Sequence, residues 1–241
     1  MRVLIQRGSG AGALWAVGKR VRLDEDEVHH LRVRRAKDQE AVEILDGAGL
    51  RGTGRLLQDG KQWMVEIRSA DREQRPAELT LAVAAGDRER FSWMVEKAAE
   101  LGVTHIVPLE TERSAAVATR VKETHLLKLR RAVYEAIKQC GAAWVPSIEE
   151  PVSLEEYVRR PLDGAGWLAD VAGAVPPIRL DQVPVSAVIG PEGGLTDGER
   201  QALLAAGYLP VALGRHTLRF ETAALAAAAA VAQARMRGLN G

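Results

Sequence analysis

The chain has 241 residues, 46% of them hydrophobic and 27% charged, with 33 Lys and Arg against 32 Asp and Glu. Nothing in that balance suggests disorder or an acidic or basic tail; the hydrophobic content is ample for a packed core, and the length suits one large domain or two small ones. A single cysteine, Cys140, excludes an intramolecular disulfide framework and offers no metal cluster. No apolar run reaches the roughly 18–20 residues of a membrane span, and the opening MRVLIQRGSG has no signal-peptide core. The expectation is a soluble, cytoplasmic, metal-free chain.

The first 70 residues read as β structure. AVEILDG (41–47) alternates apolar and polar positions and ends at a turn signal, and RGTGRLLQDG and KQWMVEIRS continue the pattern. Asp59-Gly60 is a hairpin turn, because glycine accepts the positive φ that such turns need. This predicts a small barrel or sandwich over residues 1–72. Within it, HHLRVRRAK (29–37) carries Arg32, Arg34, Arg35 and Lys37 with no acid. The cluster is either a solvated basic edge or a seat for a phosphate backbone. The polar DREQRPAE (71–78), with Pro76, is the candidate linker to a second domain over 76–241.

After the linker the texture changes. LTLAVAA (79–85) reads as a short buried strand, and ERFSWMVEKAAEL as a helix with Phe91, Met94, Val95, Ala98 and Leu101 on one face, ended by Gly102. THIVPL (104–109) is the next strand. A basic helix follows over roughly 120–140, with Leu126, Leu129, Val133, Ile137 and Cys140 as its apolar stripe. Lys122, Lys128, Arg130 and Arg131 are either solvated or RNA-facing, and Cys140 reads as a small buried hydrophobe. GWLAD (166–170), VSAVIG (185–190) and LPVAL (209–213) are further strands. Thr196 with Glu199 three residues on is a capping box, and an alanine-rich helix closes the chain. Strands alternating with helices predict an α/β domain with a largely parallel sheet.

Two loops stand out. VIGPEGGLTDGE (188–199) is a strand running into Gly190, Pro191, Glu192, Gly193 and Gly194 and then a helix start. Without β-carbons its backbone can lie against a ligand; equally, it can be a plain glycine turn. It is neither a Walker A loop nor a GxGxxG fingerprint. LGRHTLRFETAA (213–224) follows one helix and one strand later. Glu221 and Thr222 are compatible with an ordinary helix start. Arg219, after the apolar Leu218, suits binding a carboxylate or phosphate, or stabilising a developing negative charge. In a parallel sheet both loops leave at the edge where ligands bind.

At these residues the chain resembles the RsmE family of SPOUT-class methyltransferases. The resemblance rests on VIGPEGGLTDGE, LGRHTLRFETAA, EKAAELGVTHIVPLETERS (96–114), KQCGAAWVPSI (138–148) and HHLRVRRAKDQEAVEILDG (29–47), all in the family's order. Departures are Ala142, Ala143 and Trp144 where the family has an arginine, His216 in place of a common arginine, Phe220 for a small residue and Arg34 for leucine.

The resemblance implies an α/β, SPOUT-type trefoil-knotted parallel-sheet domain preceded by a small PUA-like β-barrel. It implies S-adenosylmethionine as cofactor and methylation of uridine N3 in 16S ribosomal RNA. It also implies a homodimer acting on an assembled or nearly assembled small ribosomal subunit. The cofactor would be held by Leu168, Gly190, Pro191, Glu192, Gly193, Gly194, Leu213, Gly214, Leu218 and Thr222. Arg219 would stabilise the uracil oxyanion, and Glu221 or Glu192 would orient Arg219 or accept the proton. Arg32 and Arg35 would anchor RNA phosphates, and Arg113 is either a surface arginine or an RNA-side contact at the active site. The alternatives are a methyltransferase with another ribosomal or transfer RNA target, and a non-catalytic RNA-binding protein.

Overall fold

The structure, a computed structural model, describes residues 1–5, 15–84, 86–114 and 123–239. The chain divides into two compact units. One is Met1–Arg75 with Ile137–Val145, and the other is Pro76–Ala136 with Pro146–Gly241.

The first unit is a five-stranded sheet in the order β1 (Arg2–Leu4), β3 (Ala41–Leu45), β4 (Leu50–Asp59), β5 (Gln62–Arg72), β2 (Arg20–Arg22). β1 and β3 pair in parallel and the other pairs are antiparallel. Alternate residues of these strands, with Leu31 and Trp63, form its core. Asp59 pairs with Gln62 across the hairpin turn, where Gly60 has φ +57°.

The expectation of β structure alone is corrected by helix α1 (Glu25–Val33). Only Glu27 and Leu31 are buried along it, so an apolar period was missing. What makes the helix is charge order. Asp24 caps it by accepting from the Glu27 amide at 2.8 Å, acids fill the first turn, and His30 and Arg32 lie in the last.

The segment 137–145 returns to this unit through specific bonds. Arg2 donates to the carbonyls of Lys138 and Gln139. The Gly49 amide donates to the Ala143 carbonyl, and the Val145 amide to the Gly47 carbonyl, both at 2.9 Å. Trp144 lies where any side chain on Gly49 would have to go, with the Arg75 guanidinium 5.8 Å from its ring. The residues that stand in place of the family's arginine thus pack within this unit.

The second unit is an all-parallel sheet in the order β12 (Tyr208–Val211), β10 (Ala165–Ala174), β11 (Val185–Ile189), β6 (Leu79–Val83), β7 (His105–Glu110), β8 (Ser147–Ile148), with β9 (Val152–Ser153) also on β7. One face carries α4 (Leu154–Val158) and α5 (Asp197–Ala205) over Ala82, Val107, Leu168 and Val188. α2 (Arg88–Glu100) packs on α6 (Phe220–Leu239), which lies against β6 and β11. Alanines 224, 227 and 228 are fully buried, which lets α6 approach closely. The predicted strands, the helix ended by Gly102 at φ +78° and the Thr196–Glu199 capping box are all present.

Helix α3 (Glu123–Cys140) buries Leu126, Leu129, Val133 and Ile137 as its stripe predicts. Lys128, Arg130 and Arg131 are exposed, and Lys122 lies outside the described residues. Cys140 is a correction: it is exposed rather than buried. The helix stops there, at Gly141 with φ +84°, and the buried position of its last turn goes to Lys138. Lys138 donates to Glu27 at 2.7 Å, and both side chains are 7% exposed.

A buried ion pair stripped of one partner costs several kcal/mol, whereas an apolar pair of similar volume costs little. Lys138→Met therefore loses about 3 kcal/mol in urea unfolding, and the double change Lys138→Met with Glu27→Leu regains most of it. A loss under about 1 kcal/mol for the single change would contradict this.

Candidate functional site

Strand order brings the two glycine-bearing loops together. β11 ends at Ile189 and releases residues 190–196; β12 ends at Val211 and releases 212–219. β10 lies between them, with Leu168 opposite Val188 on one side and Pro210 on the other. Both loops therefore emerge at the carboxyl edge of the sheet, over the end of β10.

A cavity of about 280 Å³ opens between them. Gly190, Pro191, Glu192 and Gly194 line it from the first loop, Leu213, Gly214 and Leu218 from the second, and Leu168 from β10. Of the remaining residues expected there, Gly193 and Thr222 are exposed and lie outside its wall. Arg219 is exposed, flanked by the wall residues Leu218 and Phe220, and its carbonyl accepts from the Ala223 amide as α6 begins.

The first loop is a β-turn over Pro191–Gly194, closed by the Gly194 amide donating to the Pro191 carbonyl at 2.8 Å. Gly194 sits at φ +70°, a conformation that L side chains rarely adopt. The turn is tied down from outside. Arg113 donates to the Gly193 carbonyl at 2.6 Å. The Glu199 carboxylate accepts from the Thr196 amide and, on its other oxygen, from the Glu112 amide, both at 2.8 Å. One capping residue thus fixes both the start of α5 and the loop that carries Arg113.

The two carboxylates expected to do chemistry share a cation. Arg90, in the first turn of α2, lies 3.9 Å from Glu192 and 4.0 Å from Glu221. The Glu192 side chain is 46% exposed, against 11% for Glu221. Glu221 Oε2 is buried with no hydrogen-bond partner. A β-carbon on Gly86 would overlap the Glu192 carboxylate, so that side chain lies over bare backbone.

Arg32 and Arg35 belong to the first unit and are exposed, one in the last turn of α1 and one just past it at φ +53°. Arg113 belongs to the second unit and, as described, is held at the glycine turn.

Sequence reasoning missed Asp170, Arg200 and Arg90. Asp170 and Arg200 pair on the cavity wall. The polar end of GWLAD signalled Asp170, since a carboxylate closing an apolar strand at the ligand edge needs a partner. Arg90 stands at a helix start, where the dipole disfavours a cation. That misfit was its signal.

The profile of the RNA methyltransferase domain family matches residues 73–232, and that of the RNA methyltransferase PUA domain matches residues 23–67. The ribosomal RNA small subunit methyltransferase E of Synechocystis sp. is 31% identical over 88% of this chain and 72% of its own length. That of Aquifex aeolicus is 30% identical over 83% and 89%. The crystal structure of a ribosomal RNA small subunit methyltransferase E from Neisseria gonorrhoeae bound to S-adenosyl methionine superposes with a TM-score of 0.81. It is 30% identical over 95% of each chain.

The Ala172 amide, and then the Arg200 guanidinium, hold the Asp170 carboxyl below the usual carboxylate range. A depressed folded value contributes stability above the unfolded value of about 3.9, and loses it as pH falls through the folded value. Urea unfolding should therefore show wild type ahead of Asp170→Asn by a steady margin from about pH 7 to about pH 5, vanishing toward about pH 2. A margin that widens on acidification would contradict the assignment.

Proposed function

The chain belongs to the family of the ribosomal RNA small subunit methyltransferase E, and on that premise we propose that it methylates N3 of a specific uridine in 16S ribosomal RNA, using S-adenosylmethionine. The observation that carries this reading is the convergence of loops 190–196 and 212–219 on one cavity over the end of β10.

The residues present fit that donor. Leu168, Leu213 and Leu218 offer an apolar wall for an adenine, and Asp170 a carboxylate for sugar hydroxyls. The glycine turn offers main-chain groups, and only the Arg113 guanidinium comes near the place of a Gly194 side chain, at 3.8 Å. The volume lies just below the roughly 300 Å³ at which ordinary ligand sites begin. When bound, S-adenosylmethionine supplies a sulfonium methyl group: the N3–C bond forms as the S–C bond breaks, and S-adenosylhomocysteine and one proton leave.

The chain's part is to hold the uracil edge and manage that proton. Arg219, exposed beside the cavity, stabilises the negative charge that spreads onto the uracil oxygens as N3 loses its proton. Glu192, the more exposed carboxylate, accepts the proton, and Glu221 acts from its buried position by orienting the start of α6. Gly193 and Thr222, each next in the chain to a residue lining the cavity, add contacts to the cofactor at the cavity's rim. The target uridine must leave its stack for its N3 edge to be reached. Arg32 and Arg35 grip phosphates from the domain over 1–72, and Arg113 faces RNA from the domain over 76–241.

In this reading the protein is a cytoplasmic homodimer whose substrate is the small ribosomal subunit, assembled or nearly so. The path through β11, α5, β12 and loop 212–219 is the knotted part expected of the SPOUT class. Among the described residues no helix is long and apolar enough to cross a membrane.

Arg219→Ala tests the division of labour. Transfer of labelled methyl groups to small ribosomal subunits should fall at least about a hundredfold, while calorimetric affinity for S-adenosylmethionine stays within a few-fold. Equal loss of both would assign Arg219 to the cofactor instead. No heat with wild-type protein would leave a non-catalytic RNA binder, and label in transfer RNA would move the target.

A further inference from the structure

The first turn of α2 holds Arg88 and Arg90, cations where the helix dipole favours acids. Each is matched to a particular partner. Arg88 donates to His125 Nδ1 at 2.8 Å. Arg90 meets two carboxylates from two different elements, Glu192 of the glycine turn and Glu221 of the first turn of α6. One helix and one strand separate the two carboxylates in the chain, and among the described residues Arg90 lies within ion-pair distance of both.

A second observation stands apart from the ion pairs. The Glu192 side chain crosses the backbone at Gly86, in the turn between β6 and α2, so closely that a β-carbon there would collide with its carboxylate. Glycine at 86 is therefore what lets Glu192 reach across to α2. Glu221, meanwhile, is 8% exposed and keeps one carboxylate oxygen without a hydrogen-bond partner. A buried carboxylate held this way depends on its neighbouring cation.

We propose that Arg90 is a positioning residue for methyl transfer: its guanidinium, shared between Glu192 and Glu221, locks the glycine turn to the start of α6, with Gly86 as the seat over which Glu192 passes. The guanidinium suits this task because it is a wide, rigid, weakly hydrated planar cation that can lie between two carboxylates, whereas an ammonium is a compact, strongly hydrated point charge on a flexible stem. The lock sets the separation of the two loops, and hence the width of the cavity and the place of Arg219, without Arg90 touching either reactant. This rests on the reading of the two loops as the methyl-donor site.

The test uses the full chain and two readouts. The first needs no cofactor: amide hydrogen exchange over 190–195 and 220–224. Arg90→Met should speed exchange in both segments together, with the rest of the sheet unchanged. Arg90→Lys should fall between it and wild type, and Gly86→Ala should reproduce the effect from the other side of Glu192. The second readout is affinity for S-adenosylmethionine. Arg90→Met should weaken it about tenfold; in the exchange readout, adding Glu192→Gln should speed residues 190–195 little further, because the two changes break one contact.

Unchanged exchange in both loops of Arg90→Met would overturn the proposal, as would full additivity with Glu192→Gln. If Arg90→Met fails to fold, Arg90→Lys and Gly86→Ala carry the same comparison. Coupled exchange effects of Arg90→Met, together with a wild-type protein that binds no S-adenosylmethionine, would uphold the lock and overturn the cofactor reading, so the two failures are distinct.

Discussion

Everything at the site depends on one feature of the sheet: β10 runs between β11 and β12, although it precedes both in the chain. All three strands are parallel, so their carboxyl ends share one edge. The connection from β11 through α5 to β12 steps over β10, and the two loops that follow are left facing each other across its end. Leu168 and Asp170 then become the floor and one wall of a cavity whose other walls are glycine-bearing turns. Had β12 paired directly with β11, the loops would be neighbours with no strand end between them.

The loops themselves are shaped by short-range chemistry that a sequence displays openly. The Thr196–Glu199 box, the glycine turn after Ile189 and the glycine ends of α2 and of the β4–β5 hairpin were legible because each depends on residues within a few positions. The apolar periods of α2 and most of α3 were legible for the same reason. Helix α1 was not, because its stripe is almost absent and its stability comes from charge order and a cap. The return of 137–145 to the first unit was not legible either. It rests on contacts such as Lys138 with Glu27 and Trp144 with Gly49, which join residues about a hundred positions apart. Cys140 was misjudged on the same ground, since the buried position of the last turn goes to Lys138, whose partner Glu27 is distant in the chain.

The site shows the same division. The residues lining the cavity from the two loops were named from motif and glycine content. The residues that hold those loops in place come from elsewhere: Arg113 and Glu112 from the loop after β7, and Arg90 and Gly86 from the turn into α2. Their roles exist only once strand order has assembled the edge. Local sequence thus specifies the parts of the cradle, while topology supplies its bracing, and the bracing includes the cation that two proposed catalytic carboxylates share.

The central claim, that this braced cavity delivers a methyl group to uridine N3, is tested most directly by product analysis. Small ribosomal subunits from a strain lacking this gene would be incubated with the purified protein and labelled S-adenosylmethionine, and the RNA digested to nucleosides. The account predicts label in N3-methyluridine, in 16S RNA, at one position. Label in another nucleoside, or none despite cofactor binding, would contradict it.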